Sequence, residues 1–217
     1  LLAAMIGSVT LGRYPIGLKE LGGILASRLW ETEAFWTKTQ ESLLLQHRLP
    51  RILLACLVGA SLSCAGGAYQ GVFQNPMAAP DILGASSGAC FGAALAILLG
   101  LSRGGVTLLA FAASMLTIAL VYAVSAKAKG GRTVSILLSG VMISSFFSAG
   151  TSYIKLVADP ADQLPEITYW MMGSLSGARM EDVGFAMIPM AMGAAPLLLL
   201  GIPQPVLYFL CESYGIS

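Results

Sequence analysis

One short motif in the chain has the form that nucleophilic chemistry requires. Gly84-Ala85-Ser86-Ser87-Gly88 follows the GxSxG pattern, in which serine hydrolases hold their nucleophile on a sharp turn. Such a serine needs a base, commonly a histidine, and His47 is the only histidine of the sequence. Glycine is also frequent in membrane helices, so the match is weak by itself. An intramembrane serine hydrolase is therefore one hypothesis for this chain.

Other reaction chemistries lack their characteristic residues. Neither a GxxxxGK[ST] phosphate loop nor an HExxH motif occurs, and Cys56, Cys64, Cys90 and Cys211 have no CxxC spacing. We interpret these cysteines as small apolar helix residues and expect no metal site or cofactor in this chain. Ion-coupled carriers need ionisable residues within the membrane, and Lys155 alone comes near to that condition. An ion-coupled secondary transporter is thus a second alternative.

Two arginines, Arg48 and Arg51, stand at the start of an apolar stretch. The basic loop Lys127–Arg132 belongs in the cytoplasm by the positive-inside rule, and alternation of spans then places Gly12–His47 outside. Both arginines consequently lie at an external membrane end, against the usual charge bias. We expect them to have a role there.

Charge-free stretches dominate the sequence around these residues. Five of them, between 21 and 29 residues long, follow Arg51. About 20 apolar residues in a helix cross a hydrocarbon core of about 30 Å. Charged residues are 11% of the chain, against about 25% in a soluble domain. These features predict an all-α polytopic membrane protein, and the net charge of +1 argues against a nucleic-acid partner.

We expect one transmembrane domain over residues 1–217, truncated at both ends. Its predicted spans are 1–11 (partial), 50–73, 83–101, 105–126, 134–156 and 183–201. Apolar residues at helical spacing between Leu18 and Leu29 predict an amphipathic helix on the membrane surface. Another short helix is expected near Leu164–Leu175, with Pro165 in its first turn.

Small residues recur every four positions in three of the spans. Two such sets, Ala55 to Gly71 and Gly84 to Gly100, favour close helix packing. The third is a hydroxyl stripe made of Gly140, Ser144, Ser148 and Ser152. Its hydroxyls can bond back to their own helix, so packing and a polar pathway are equally open at this stage.

Several blocks of residues are similar to one transporter family. They are Arg48-Leu49-Pro50-Arg51, Gln70-Gly71-x-x-x-Asn75-Pro76-Met77-Ala78-x-Pro80-x-Ile82-Leu83-Gly84-x-Ser86-Ser87-Gly88, Leu137-Leu138-Ser139-Gly140-Val141 and Tyr169-Trp170-Met171-Met172-Gly173. In this order, over residues 47 to 178, they resemble the FecCD-type permease family of iron-chelate, haem and cobalamin ABC importers.

The resemblance implies a transmembrane permease subunit with roughly ten helices, about six of them in this chain. It would move a metal chelate, namely a ferric siderophore, haem or cobalamin, across a prokaryotic cytoplasmic (inner) membrane. It would not be an enzyme, since ATP and Mg would bind to a separate cytoplasmic ABC ATPase. The other implied partners are a second permease subunit, in a homodimer or close heterodimer, an extracytoplasmic substrate-binding protein and membrane lipid.

The resemblance also implies roles for individual residues. Arg48 and Arg51 match arginines that dock the binding protein, and Thr133 and Ser135 match the region of the cytoplasmic gate. The stripe of Gly140, Ser144, Ser148 and Ser152 is predicted to face the translocation pathway. Asn75, Pro76, Pro80 and Asp81 form a structural re-entry, because prolines interrupt an ordinary helix while Asn and Asp can cap the freed backbone groups.

Overall fold

The computed structural model describes residues 2–10, 14, 16–27, 36–75, 78–128 and 131–199. Helices joined by turns and short irregular segments make up these residues, which include no strand. They form two compact units, one of Leu1–Cys64 with Leu175–Ile202 and the other containing Ala65–Ser174. The predicted all-α fold class is confirmed.

The first unit contains most of one long helix. Lys38–Phe73 is helical over 36 residues, which corresponds to about 54 Å. Its parts are α3 (Lys38–Ser42), a π turn (Leu43–Arg48) and α4 (Leu49–Phe73). Thr37 caps its start, since its hydroxyl accepts the Gln40 N–H and the Gln40 side chain accepts the Thr37 N–H. The unit also holds α1 (Leu2–Thr10), α2 (Leu18–Ala26) and α9 (Met180–Leu199).

A proline explains the widened turn inside the long helix. Pro50 has no N–H, and in a regular α-helix its ring collides with the carbonyl group four residues earlier. The preceding π turn removes this conflict by lengthening the hydrogen-bond spacing, so that the Leu49 N–H donates to the Leu44 oxygen. The predicted span began at residue 50, but the helix begins at Lys38 because the π turn carries the helical backbone through the proline.

The predicted surface helix is α2, and its apolar face packs against protein. Ile24 is fully buried in a cluster with Val9 of α1 and with Leu44 and Ile52 of the long helix. The amphipathic pattern was correctly identified, and Ile24 on its apolar side packs against neighbouring helices. Residues 28 and 29 of the predicted helix lie outside the described residues.

The second unit is built from tightly packed helices and one short turn. It contains a 3-10 turn (Pro80–Leu83), α5 (Ala85–Leu98), α6 (Arg103–Lys127), α7 (Arg132–Val157) and α8 (Gln163–Met172). α5 lies in the middle, in contact with α6, α7 and α8. The core between them includes Ala93, Val106, Ile154 and Ile167. α8 corresponds to the short helix predicted near Leu164–Leu175.

Glycines in α5 permit the close approach of α6. A Cβ atom added to Gly88 would lie 2.9 Å from the carbonyl oxygen of Ala113, and one added to Gly92 would lie 2.7 Å from the Ala113 Cβ. Neither site has room for a methyl group. The interpretation of this small-residue set as a packing face is confirmed at both glycines. On α4, by contrast, Gly59 has no described atom within 4 Å of an added Cβ.

Within the described part of the chain, three helices are long and apolar enough to cross a membrane: Lys38–Phe73, Arg103–Lys127 and Thr133–Val157. α5 is apolar but has 14 residues, or about 21 Å, less than a hydrocarbon core. The span predicted at 83–101 was therefore too long. Gly84 and Gly100 have φ angles of 70° and 68°, and this left-handed conformation interrupts a helix on either side of α5.

The other helices lie near their predicted positions. α1 falls within the partial span 1–11, while α6 and α7 overlap the spans 105–126 and 134–156. α9 overlaps 183–201 and contains Pro189 and Pro196. Residues 200 and 201 lie outside the described residues.

Candidate docking and translocation surfaces

Arg48 ends the π turn and contacts the backbone of the N-terminal segment. Its Nη1 donates to the carbonyl oxygen of Val9, and its Nη2 donates to the carbonyl oxygen of Tyr14. Val9 lies in the last turn of α1, where carbonyl groups have no partner within the helix. The half-buried Arg48 side chain therefore caps α1.

Arg51 lies one helical turn further along, is exposed and contacts a different segment. Its Nε donates to the carbonyl oxygen of Leu175 at 3.1 Å. A cavity of about 650 Å³ opens nearby, with His47, Ser176 and Arg179 among its lining residues. Both predicted docking arginines thus lie in the first half of the long helix, near this cavity, but they differ in exposure and in their backbone contacts.

The four-residue stripe on α7 does not occupy one face of the helix. Residues four apart are offset by about 40°, so Gly140 and Ser152 are about 120° apart around the axis. Gly140 is buried and Ser144 is half-buried, while Ser148 and Ser152 are exposed. The stripe divides into a packed pair and an exposed pair.

The packed pair meets the 3-10 turn. A Cβ atom added to Gly140 would lie 3.4 Å from the Cα of Leu83 and would overlap the Ile82 carbonyl oxygen. On the other side, a Cβ atom added to Gly84 would lie 3.3 Å from the Ser144 Cα and would overlap the Ser144 hydroxyl. One glycine from each element allows the turn to sit directly on α7.

Hydroxyl groups of this stripe bond to their own helix. The Ser144 Oγ donates to the Gly140 carbonyl oxygen at 2.8 Å, and the Ser152 Oγ donates to the Ser148 carbonyl oxygen at 3.0 Å. These bonds satisfy the hydroxyl donors without water. The exposed part of the stripe is consequently a weakly polar surface.

Thr133 and Ser135 lie at the start of α7 but point in different directions. Residues two apart are offset by about 200° in an α-helix. Thr133 is exposed, whereas Ser135 is buried. The residue at the N-cap is Gly131, which has no side chain to cap the helix, so neither hydroxyl fills the N-cap position.

The chain between α4 and α5 turns back through the 3-10 turn, with Pro80 at its first position. The carbonyl oxygen of Asp81 accepts the Gly84 N–H at 2.8 Å, and that of Asn75 accepts an N–H three residues later at 3.0 Å. In these contacts Asn75 and Asp81 act through their main chain. Pro76 lies outside the described residues.

The GxSxG motif has a setting unlike that of a hydrolase nucleophile. A nucleophilic serine of this type follows a strand, but here a 3-10 turn precedes α5. Gly88, the last residue of the motif, packs against Thr117 and Ala113 of α6. Among the described residues, no three His, Cys, Asp or Glu side chains are grouped so that they could hold a metal. The local geometry explains this motif by packing.

The FecCD transport family matches residues 1–206 of this sequence. The chain belongs to that family. The match extends beyond the blocks at residues 47 to 178 that carried the resemblance, and it confirms the family predicted from them.

Curated FecCD relatives include permeases for several solutes. The chain is 35% identical to the molybdate import permease MolB of Haemophilus influenzae, over 88% of this chain and 56% of that protein. It is 43% identical to the cobalamin import permease BtuC of Halobacterium salinarum, over 70% of this chain and 41% of that protein. An iron chelatin transport permease of Helicobacter pylori is 40% identical, over 73% and 47%. The chain spans about half the length of these relatives.

A solved structure shares the fold. The inward-facing conformation of a metal-chelate type ABC transporter aligns with a TM-score of 0.79 and 30% identity, covering 100% of this chain and 65% of that one. The chain therefore shares its fold with that transporter, and the part that the structure describes contains three helices long enough to cross a membrane.

Two features of the site were not predicted. The carbonyl partners of Arg48 are 39 and 34 residues away in sequence, and no local pattern signals contacts of that kind. The contact of the 3-10 turn with Gly140 was also missed, although Gly84, four residues after Pro80, was a sign of a special backbone position.

Proposed function

We propose that this chain is part of the permease subunit of a binding-protein-dependent ABC importer for a metal chelate, either a ferric siderophore, haem or cobalamin. The family match over residues 1–206 is the observation that carries the proposal. Relatives named for iron chelatin and cobalamin support a chelate as the solute. The proposed location is the cytoplasmic (inner) membrane of a prokaryote.

The energy source in this proposal is ATP with Mg, bound by a separate cytoplasmic ATPase. α6 and α7 carry Asp, Glu, Lys or Arg only near their ends, at Arg103, Lys127, Arg132 and Lys155. An ion-coupled carrier needs such residues deeper in the membrane, where they bind and release the ion. The positions of the charged residues therefore support ATP hydrolysis by a separate subunit as the energy source, in preference to ion coupling.

A second permease subunit, identical or closely similar, forms the other half of the pathway in this proposal. Ser148 and Ser152 face the pathway, since both are exposed and Ser152 satisfies its own donor within the helix. Gly140 and Ser144 hold that wall on the 3-10 turn. At the cytoplasmic start of α7, the exposed Thr133 contributes to the gate, and the buried Ser135 supports it from behind.

In this proposal the binding protein docks on the part of the long helix that carries Arg48 and Arg51. Only the Nε of Arg51 is engaged with Leu175, so its terminal amino groups remain able to bind a carboxylate. When one partner of such a pair is removed from a partly desolvated interface, binding weakens by about 2–5 kcal/mol. The binding protein is expected to present acidic residues there.

Uptake into proteoliposomes tests the function. The full-length permease is reconstituted with its ATPase and binding protein, and radiolabelled ferric siderophore, haem, cobalamin and molybdate are compared. We expect uptake of one chelate that requires ATP, stops with vanadate and continues in the presence of an uncoupler. Uptake driven by an ion gradient without ATP would favour the secondary transporter. Uptake of molybdate alone would refute the assignment of a chelate but retain the importer.

A further inference from the structure

We propose that Arg48 is a positioning residue, which fastens the end of α1 and the segment at Tyr14 to the long helix and leaves Arg51 as the arginine that meets a docking partner. The part of this inference that concerns docking rests on the proposed function. The fastening of the N-terminal segment does not.

The planar guanidinium of Arg48 is suited to this contact. Its two terminal nitrogens donate to the carbonyl oxygens of Val9 and Tyr14, which lie on either side of the end of α1. A lysine ammonium is a single point charge and cannot reproduce a fork of fixed geometry. Because the contact joins Arg48 to a residue 34 positions away in the sequence, it restricts the backbone at Tyr14.

The fastened segment contributes directly to the core of the first unit. Ile16 follows Tyr14 closely in sequence and is 1% exposed, within the cluster that contains Val9, Leu44 and Ile52. Loss of the Arg48 contact frees the backbone on the N-terminal side of Ile16. The expected first consequence is exposure of Ile16, before the rest of the protein changes.

The inference also explains the position of this charge. Carbonyl groups at a helix C-terminus carry partial negative charge, which a cation stabilises. Arg48 therefore has a structural reason to remain at a membrane end where the positive-inside rule disfavours it. The exposed Arg51, whose contact with Leu175 uses Nε, keeps the more accessible charge.

Cysteine accessibility tests the fastening in the full-length protein, in a background without native cysteines. Ile16→Cys is the probe, and Ile167→Cys, at a fully buried position of α8, is the control for overall folding. With Arg48 present, both sites should react slowly with a membrane-impermeant maleimide. We expect Arg48→Gln and Arg48→Lys to accelerate labelling at position 16 by about tenfold or more, because a charge-assisted contact is lost. Labelling at position 167 should not change, and Arg51→Gln should leave position 16 protected.

Two labelling results would overturn the fastening. One is unchanged protection at position 16 in both Arg48 variants. The other is simultaneous exposure of positions 16 and 167, which would make Arg48 a general support of the fold.

The salt dependence of binding-protein affinity separates the two arginines. We expect Arg51→Gln to weaken the salt dependence of binding-protein affinity, by about the contribution of one charge pair. Arg48→Gln should change the affinity and leave its salt dependence unchanged. An equal reduction in both variants would show that Arg48 docks directly and would overturn its assignment. If Arg51→Gln alters neither quantity, the proposed docking role fails, and the labelling result still decides the fastening.

Discussion

Glycine residues set the distances between helices in the second unit. At Gly88, Gly92 and Gly140, an added Cβ atom would lie within 3 Å of backbone or side-chain atoms of a neighbouring element. Such contacts bring backbones together, which matters in lipid because no hydrophobic effect drives helices to associate there. The packing of this unit therefore depends on the absence of side chains at a few positions.

Replacement of Gly88 by alanine should destabilise the protein. The added methyl group meets Thr117 and Ala113, and overpacking of this kind costs about 1–3 kcal/mol. Gly104→Ala is the matched control, since Gly104 is also in a helix and has nothing within 4 Å of an added Cβ. Both variants gain the same helix propensity, and thermal unfolding in detergent measures the difference. Equal melting temperatures would mean that α5 and α6 can move apart at little cost.

At the scale of elements, α7 has two kinds of surface along its length. Its first half receives the 3-10 turn, and its second half exposes Ser148 and Ser152, of which Ser152 donates its hydroxyl hydrogen within the helix. The recurrence of small residues at every fourth position suggested a single face. In an α-helix, however, each step of four residues rotates the position around the axis by about 40°. The pattern therefore combines a packing surface with a candidate pathway surface.

Leucine substitutions should distinguish these two surfaces. Ser148→Leu enlarges an exposed residue, so it should slow uptake while assembly and basal ATPase activity remain close to wild type. Ser144→Leu places a larger side chain against Gly84, so it should reduce the yield of assembled complex. Uptake assays and size-exclusion chromatography measure both outcomes. Normal uptake with Ser148→Leu would place that residue away from the pathway, and normal assembly with Ser144→Leu would show that the turn tolerates displacement.

The sequence was sufficient to predict most helices, because the length of an apolar stretch is a local property. The start of the long helix was missed because a proline such as Pro50 usually marks the beginning of a helix. Here the π turn before Pro50 lets the helix continue through it. The length of α5 was overestimated because Gly84 and Gly100 end it inside a charge-free stretch. Contacts such as that of Arg48 with Val9 depend on tertiary structure and could not be predicted.

At the scale of the whole molecule, membrane orientation follows from a short basic loop. The segment Lys127–Arg132 is predicted to be cytoplasmic, and Gly12–His47 external, although more basic residues then lie outside. Arg48, which directly follows this segment, donates to the carbonyl oxygen of Val9 at the end of α1, so its charge has a structural partner. A simple count of basic residues therefore gives Arg48 too much weight in the prediction of membrane orientation.

Single cysteines at positions 38 and 129 should report this orientation. In a full-length background without native cysteines, a membrane-impermeant maleimide on intact cells should label Lys38→Cys and spare Lys129→Cys. Lys38 is exposed at the start of α3, while Lys129 lies outside the described residues. Permeabilised cells provide the control for reactivity at both sites. The opposite labelling pattern would invert the topology and remove the external docking surface.

We expect the short length of α5 to thin the permeability barrier beside this helix. Its far end is joined closely to α6, which is longer by about 16 Å. The 3-10 turn sits on Gly140, which is about 12 Å along α7 from its start. With α7 crossing a bilayer, the turn and the exposed Asp81 would lie within its depth, where irregular backbone and a carboxylate persist only beside protein or water. An aqueous recess that reaches this turn would leave about 21 Å of the barrier for a solute to cross, and the membrane potential would fall mainly over that remaining distance.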